Sequence, residues 1–292
     1  MKVKKAIILA AGLGTRMLPA TKSVPKELFP IVDKPALQYL VEELVHSGIT
    51  DIMIVISRGK TLIEDHFDRS PELEERLIAG GEKKADLLKQ VRQVSDMANI
   101  IYVRQKTLNG TGGALQMARQ FVGNDAFAVL YGDDVIINDE YPVTKQLIDA
   151  YEEYGLGVAG VQEVSEEAIQ KYSTMKVEKL KDNKYSLTDM IEKPTKDQIL
   201  SLFSILGRLV LPAEIFDILD KTPLGAGNEL QLTDAMKTLA NTKGMIAVDF
   251  IGKRYDMGNK LGVMQAQVET ALKHPEIGAE FKAYLKEIAK TL

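Results

Sequence analysis

The amino-acid sequence predicts an α/β fold, a three-layer sandwich with helices on both faces of a mixed, mainly parallel central sheet. Three observations carry that reading. Short unbroken apolar runs alternate with helix-period patterns through the first half of the chain, and its chemically distinctive motifs fall at the carboxyl ends of those runs. The second half instead offers strand-like stretches joined by tight polar turns.

The first element is residues 6–9, an Ala-Ile-Ile-Leu run that reads as a buried strand because it is continuous, β-rich and ends at glycines. A Gly-rich loop follows over residues 10–19. The pattern then predicts a helix over 36–47, a strand over 52–56, a helical stretch around His66 and a helix over 83–97. A strand over 100–103, a helix over 112–122 and a strand over 127–131 complete the first half. Beyond Asp139 come a helix over 142–154 and strands over 157–161, 175–180, 185–192, 206–211 and 245–251. Lys181-Asp182-Asn183-Lys184 is the kind of turn that joins neighbouring antiparallel strands. The chain closes with helical patterns over 259–271 and 277–292. Their stripes, Leu261, Met264, Val268 and Leu272 on one and Phe281, Leu285 and Ile288 on the other, ordinarily pack on their own domain; a contact with a second copy is the alternative. No Pro/Gly/Ser-rich linker interrupts the chain. One domain over 1–292 with a continuous sheet is expected, divided into lobes at 1–138 and 139–255 and C-terminal helices at 256–292.

Composition narrows the function. With 292 residues, 45% of them hydrophobic, there is chain enough for a sizeable core. The balance of 37 basic against 41 acidic residues supplies no overall basic field, so nucleic acid is not expected as a partner. Lys2, Lys4 and Lys5 precede an apolar run too short for a signal peptide, and no stretch reaches the length of a membrane span. A cytoplasmic protein with no membrane contact is the expectation. The absence of cysteine excludes disulfides, thiolate zinc sites and a cysteine nucleophile. None of the three histidines, His46, His66 and His274, sits beside a serine or carboxylate motif. A catalytic metal would therefore be held by oxygen, which favours magnesium or manganese.

The loop Gly12-Leu13-Gly14-Thr15-Arg16 exposes backbone N–H groups at a strand end, where α/β proteins bind phosphate. Arg16 and Lys26 add two cations, which suggests a nucleoside triphosphate. A dinucleotide fingerprint would need glycine where Met17 stands, and a P-loop would need Gly-Lys-Ser/Thr. Gly132-Asp133-Asp134 ends the strand 127–131 and makes Asp133 the first candidate metal ligand. Asp134 points the other way along the strand and would position Asp133 or a ribose. Asp256 precedes a helix, so an N-cap role is open to it; paired with Asp133 across a cleft it would complete an oxygen-only metal site. Glu192-Lys193-Pro194 also closes a strand. Its glutamate can accept from sugar hydroxyls and its lysine can meet a phosphate.

Gly12 to Arg16, with Pro25-Lys26-Glu27 and Asp33-Lys34-Pro35 downstream, resembles the signature of the sugar-1-phosphate nucleotidylyltransferases. Val103-Arg104-Gln105, Glu192-Lys193-Pro194, Gly225-Ala226-Gly227 running to Gln231-Leu232-Thr233-Asp234-Ala235, and Tyr255-Asp256-Met257-Gly258 extend the likeness over nearly the whole chain. They point to the bacterial branch that uses UTP and glucose 1-phosphate. The resemblance implies a Rossmann-like nucleotidyltransferase fold, Mg²⁺, a homodimer or homotetramer, and transfer of a uridylyl group to give UDP-glucose and pyrophosphate. It makes 1–138 the nucleotide-binding lobe and 139–255 the sugar-phosphate lobe.

By the same likeness Gln105 and the backbone around Gly12 and Gly110 would read the base, and Gly14, Thr15, Arg16 and Lys26 would hold the triphosphate, with Ala11, Glu27 and Asp134 also on the nucleotide. Asp133 and Asp256 would hold Mg²⁺; Glu192, Lys193 and Ser173 would take the sugar phosphate; Arg16, Lys26 and Lys193 would be the catalytic cations. Two segments depart from the family pattern. Gly110-Thr111-Gly112-Gly113-Ala114 replaces Gly-Leu-Gly-His-Ala, and Tyr172-Ser173-Thr174-Met175 replaces Tyr-Gly-Val/Ile-Val. They leave open an enzyme that uses dTTP or another sugar phosphate, or a weakly active regulatory paralogue.

Overall fold

A computed structural model describes residues 2–291. In chain order its strands are β1 (Lys5–Leu9), β2 (Pro30–Ile31), β3 (Lys34–Pro35), β4 (Asp51–Ile56), β5 (Asn99–Arg104), β6 (Phe127–Tyr131) and β7 (Asp134–Ile137). They continue with β8 (Gly157–Glu163), β9 (Ser173–Lys181), β10 (Lys184–Glu192), β11 (Phe203–Leu211), β12 (Met245–Asp249) and β13 (Lys253–Asp256). Nine of them form one sheet in the order β5-β4-β1-β6-β11-β8-β12-β10-β9. The β5-β4-β1-β6 part is parallel throughout. β11 runs antiparallel to both β6 and β8, β12 is parallel to β8, and β10 and β9 close the far edge as an antiparallel hairpin.

Alternation of side chains across a strand explains why the central strands read as unbroken apolar runs. In β1, Ala6 and Ile8 enter the core on one face, with Leu37, Leu40 and Leu44 of the helix Ala36–His46. Ile7 enters the core on the other face, with Leu115, Phe127 and Val129. A buried ion pair braces the middle of the sheet. Arg208 of β11, fully buried, donates to Glu43 from Nε at 3.0 Å and Nη2 at 2.7 Å, and Thr144 adds its N–H and hydroxyl to the same carboxylate. One helix, one strand and the start of the helix Val143–Tyr154 are thereby tied together.

Three local expectations change. The helix expected over 112–122 is two short ones, Thr111–Gln116 and Arg119–Val122, because Met117 and Ala118 bond back three residues and tighten the turn between them. A helix not foreseen, Pro71–Ala79, starts with proline at a position where no N–H partner is needed. Its Glu74 is gripped by Arg69 at 2.5 Å and by Arg92 at 2.8 Å. In the helix Lys260–Lys273 the stripe expected to face its own domain faces outward: Leu261 is 68% and Met264 57% exposed, while the small residues Gly262, Ala266 and Ala271 make the packed side. The second C-terminal helix is Gly278–Ile288. Among the described residues no helix is long and apolar enough to cross a membrane.

Candidate active site

The parallel strands deliver their loops to one edge of the sheet. The glycine loop leaves β1 and turns at Gly14, whose φ of 68° is one that side-chain-bearing residues adopt at a cost. Thr21 Oγ1 donates to the Gly14 carbonyl at 2.9 Å, and Met17 buries its side chain where a dinucleotide loop would need glycine. Gly12, Gly14, Thr15, Lys26 and Asp133 line a cavity of about 510 Å³ that also reaches Ala11, Gln105 and Gly110. The two ends of the glycine-loop pattern therefore open onto the same space.

The two candidate metal ligands meet at its edge, where Asp133 lines the cavity and Asp256 stands behind it. β7 and β13 form a two-stranded antiparallel ladder in which Asp256 pairs with Asp134, and the N–H of Met257 donates to the Asp133 carbonyl at 2.8 Å. This sets the Asp133 and Asp256 side chains around one point. A Cβ on Gly258 would stand 2.7 Å from Asp133 Oδ2, 2.8 Å from Asp256 Oδ1 and 2.5 Å from Arg16 Nη2. Two carboxylates around a space that only glycine leaves clear suit a hard divalent cation, whose other ligands would be phosphate oxygens and water. Asp256 does not cap the following helix. Asn259 does, accepting from the Gly262 N–H at 2.7 Å, and Asp256 is left to accept from the Gly258 N–H and the Tyr172 hydroxyl.

Charge at this point is tightly balanced. Lys26 forms an ion pair with Asp133, and Arg16 lies 3.9 Å from Asp133 and 3.7 Å from Asp256. Burial works against the Lys26 ammonium, but the Asp133 and Glu27 carboxylates outweigh it and hold the group above the ordinary lysine range. Burial likewise works against the Asp133 carboxylate, and Lys26 with Arg16 keeps it below the ordinary range.

Two residues expected at the nucleotide are engaged elsewhere. Asp134 turns its carboxylate away from the cavity to Arg254, with Nε at 2.7 Å and Nη2 at 2.5 Å. Burial, opposed by Arg254 and reinforced by the Asp133 and Asp256 charges, pushes it up to about 6. Glu27 forms part of the cavity wall, but it is only 1% exposed and both of its oxygens accept from Lys60, so it supports the loop from below.

On the other side of Tyr131 and Thr111, which border both spaces, lies a small pocket of about 90 Å³ lined by Glu192, Ser173, Tyr172 and Thr233. Thr233 Oγ1 donates to Glu192 Oε2 at 2.8 Å, while burial raises the Glu192 carboxyl above its ordinary range. Lys193 is exposed beside this pocket and outside its lining. Its φ of 48° is unusual for a residue with a side chain, and the strained turn is held by its N–H donating to the Tyr172 carbonyl at 2.7 Å.

Sequence reasoning missed Lys60, Arg254, Tyr172, Thr233 and Asn109 as parts of the site. Lys60 had a legible signal, since Ser57-Arg58-Gly59-Lys60 follows a strand at the same sheet edge as the glycine loop. Arg254, Tyr172 and Thr233 depend on pairings far apart in the chain, and Asn109 on a close approach to Gln105 and Gly113 that no motif announces.

Comparison with known proteins agrees with the geometry. The family model described as Nucleotidyl transferase matches residues 5–272. A protein of Staphylococcus epidermidis named UTP–glucose-1-phosphate uridylyltransferase is 49% identical over 287 residues, covering 98% of this chain and 99% of that protein. The UTP–glucose-1-phosphate uridylyltransferase YngB of Bacillus subtilis is 47% identical over 289 residues, covering 99% and 96%. Among solved structures, a UDP-glucose pyrophosphorylase complexed with UDP-glucose matches with a TM-score of 0.85 at 39% identity, over 93% of this chain and 100% of that one. A UTP-bound enzyme of the same kind from Acinetobacter baumannii matches with a TM-score of 0.89 at 37% identity, over 98% and 99%.

Proposed function

Because this chain belongs to the nucleotidyl transferase family, we infer that it is a UTP:glucose-1-phosphate uridylyltransferase, joining UTP and glucose 1-phosphate into UDP-glucose with release of pyrophosphate. The observation that carries this reading is the convergence of Asp133 and Asp256 on one point beside Arg16, at the mouth of the glycine-loop cavity. The reaction has an oxygen of the sugar phosphate attack the α-phosphorus of UTP, and the pyrophosphate bond breaks as the new P–O bond forms. A phosphate monoester has its second pKa near ~6, so at neutral pH the nucleophile is already largely ionised and needs no general base. This fits a site whose lining holds no histidine.

The barrier is the approach of two polyanions. Each pair of unit charges about 4 Å apart repels by ~1 kcal/mol in water and ~4 kcal/mol at an effective dielectric of about 20. In this reading the loop N–H groups of Gly12, Gly14 and Thr15, with Arg16 and Lys26, hold the triphosphate, while Ala11, Gln105 and Gly110 face the base. Glu192 and Ser173 orient the sugar, and Lys193 reaches its phosphate. Asp133 and Asp256 would hold Mg²⁺, which when bound supplies further charge neutralisation at the phosphate oxygens. A cytoplasmic location suits an enzyme fed by UTP. The outward apolar face of the helix Lys260–Lys273 suits assembly into a homodimer or homotetramer.

The test is a panel of UTP, dTTP, CTP and ATP against several sugar 1-phosphates, scored by pyrophosphate release from the purified protein. UTP with glucose 1-phosphate should lead. A preference for dTTP or another sugar phosphate would overturn the substrate assignment, and no turnover with any pair would overturn the enzymatic one.

A further inference from the structure

At the base end of the cavity, residue 113 has no side chain, and the room one would need is already taken. A Cβ on Gly113 would stand 1.9 Å from Asn109 Oδ1 and 2.7 Å from Asn109 Nδ2. The Asn109 amide thus lies over the bare first turn of the helix Thr111–Gln116. From there its Oδ1 accepts from Gln105 Nε2 at 3.0 Å, and the same nitrogen donates to the Gly110 carbonyl at 3.3 Å. A carboxamide nitrogen carries two hydrogens, so both donors of the Gln105 head are spent within the loop. Gln105 is 6% exposed and borders the cavity, and among the described residues nothing donates to its Oε1. Turning the amide over would set that oxygen against the Gly110 carbonyl.

We propose that Asn109 and Gly113 act as one device that sets the nucleobase choice of this chain. Asn109, seated in the room that Gly113 leaves, fixes Gln105 so that its carbonyl oxygen is the group left for the base. The site then offers an acceptor and takes a pyrimidine with an N–H at ring position 3, as uracil has, whereas cytosine presents a lone pair there. A buried acceptor facing another acceptor goes unpaired, and unpaired buried polar groups are what give a polar pocket its discrimination. Asn109 is a positioning residue that works through Gln105. The inference rests on reading the cavity as the nucleotide site.

The experiment measures kcat/KM for UTP and CTP with glucose 1-phosphate, together with calorimetric binding of each nucleotide alone. The proteins are wild type, Asn109→Ala, Asn109→Asp, Gly113→Ala and the double variant Asn109→Ala/Gly113→Ala. Asn109→Ala should lower the UTP-to-CTP ratio by about tenfold, the scale of one lost hydrogen bond, mainly through KM for UTP. Asn109→Asp keeps the accepting oxygen and should keep the ratio, since any effect of its charge on the triphosphate is common to both nucleotides. Gly113→Ala should push the Asn109 amide out and reproduce the Asn109→Ala loss, and the double variant should be no worse than either single one because all three break the same link. An unchanged ratio in Asn109→Ala, or losses that add in the double variant, would overturn the proposal while leaving the function intact. A wild-type protein that binds UTP no better than CTP would instead overturn the nucleotide reading itself.

Discussion

Lys60 and Glu27 face each other beneath the glycine loop. The ammonium donates to the two carboxylate oxygens at 2.9 and 2.8 Å and to the Ala10 carbonyl at 2.6 Å, which uses all three of its hydrogens. Removing Lys60 alone would leave a buried carboxylate without a partner. Lys60→Met should therefore cost about 3–5 kcal/mol in urea unfolding, and pairing it with Glu27→Leu should recover much of that stability. Turnover should stay low in the double variant because the Ala10 carbonyl has lost its anchor. Equal stability of Lys60→Met and wild type would show that the pair does not brace the loop.

A side-chain carbon on Gly258 would crowd Asp133, Asp256 and Arg16 at once and intrude on the space between the two carboxylates. Gly258→Ala should cut kcat by roughly 10²-fold, the scale of a misplacement of about 1 Å, while the melting temperature stays close to that of wild type. Asp133→Ala should remove most metal-dependent turnover with the fold retained. Near-normal kcat for either variant at saturating Mg²⁺ contradicts the assignment.

In the proposed reading Glu192 accepts from sugar hydroxyls, and it can do so through both oxygens only when ionised. Burial raises its carboxyl, and the Thr233 hydroxyl works in the opposite direction. Thr233→Val should raise it further, so protonation sets in at a higher pH as the solution is made acidic. The acid limb of kcat/KM for glucose 1-phosphate should move upward by roughly 0.5–1 pH unit. The substrate's own ionisation is common to both proteins, so a limb that stays in place counts against Glu192 as the sugar contact.

Glu74 ties Arg69 and Arg92 together, and hydrogen bonds from Arg69 first and Arg92 second draw its carboxyl down to about 2. A carboxyl lowered in the folded state contributes stability that is fully present above its unfolded value near ~4.3 and is lost as pH falls toward the folded one. The melting-temperature gap between wild type and Glu74→Gln should be constant near neutrality and narrow as pH drops from about 4.5 toward 2. A gap that does not vary with pH would mean that the carboxylate charge is not what holds the helix Pro71–Ala79.

Much of this was legible in the residues because β1 and β6 are buried on both faces and so leave unbroken apolar runs, which puts Gly12 and Asp133 at the same sheet edge. Local chemistry also fixed Gly14 at its turn. What the residues could not reveal is pairing across long stretches of chain. β7 and β13 are four residues each, too short to stand out, yet their ladder is what brings Asp256 beside Asp133. The direction of a carboxylate was equally hidden. Alternation correctly separated Asp134 from Asp133, but Arg254, more than a hundred residues later, decides where Asp134 points. Lys60 was visible as a cation at a strand end; that it turns inward to Glu27 follows only from how tightly the loop packs above it.

The antiparallel strand β11, hydrogen-bonded to β6 on one side and β8 on the other, has a mechanical consequence. No hinge can open between the halves without shearing that ladder, so capture of the two substrates falls to loops and side-chain rearrangement. Heat should then find one cooperative block, giving a single calorimetric endotherm that either substrate displaces to higher temperature as a whole.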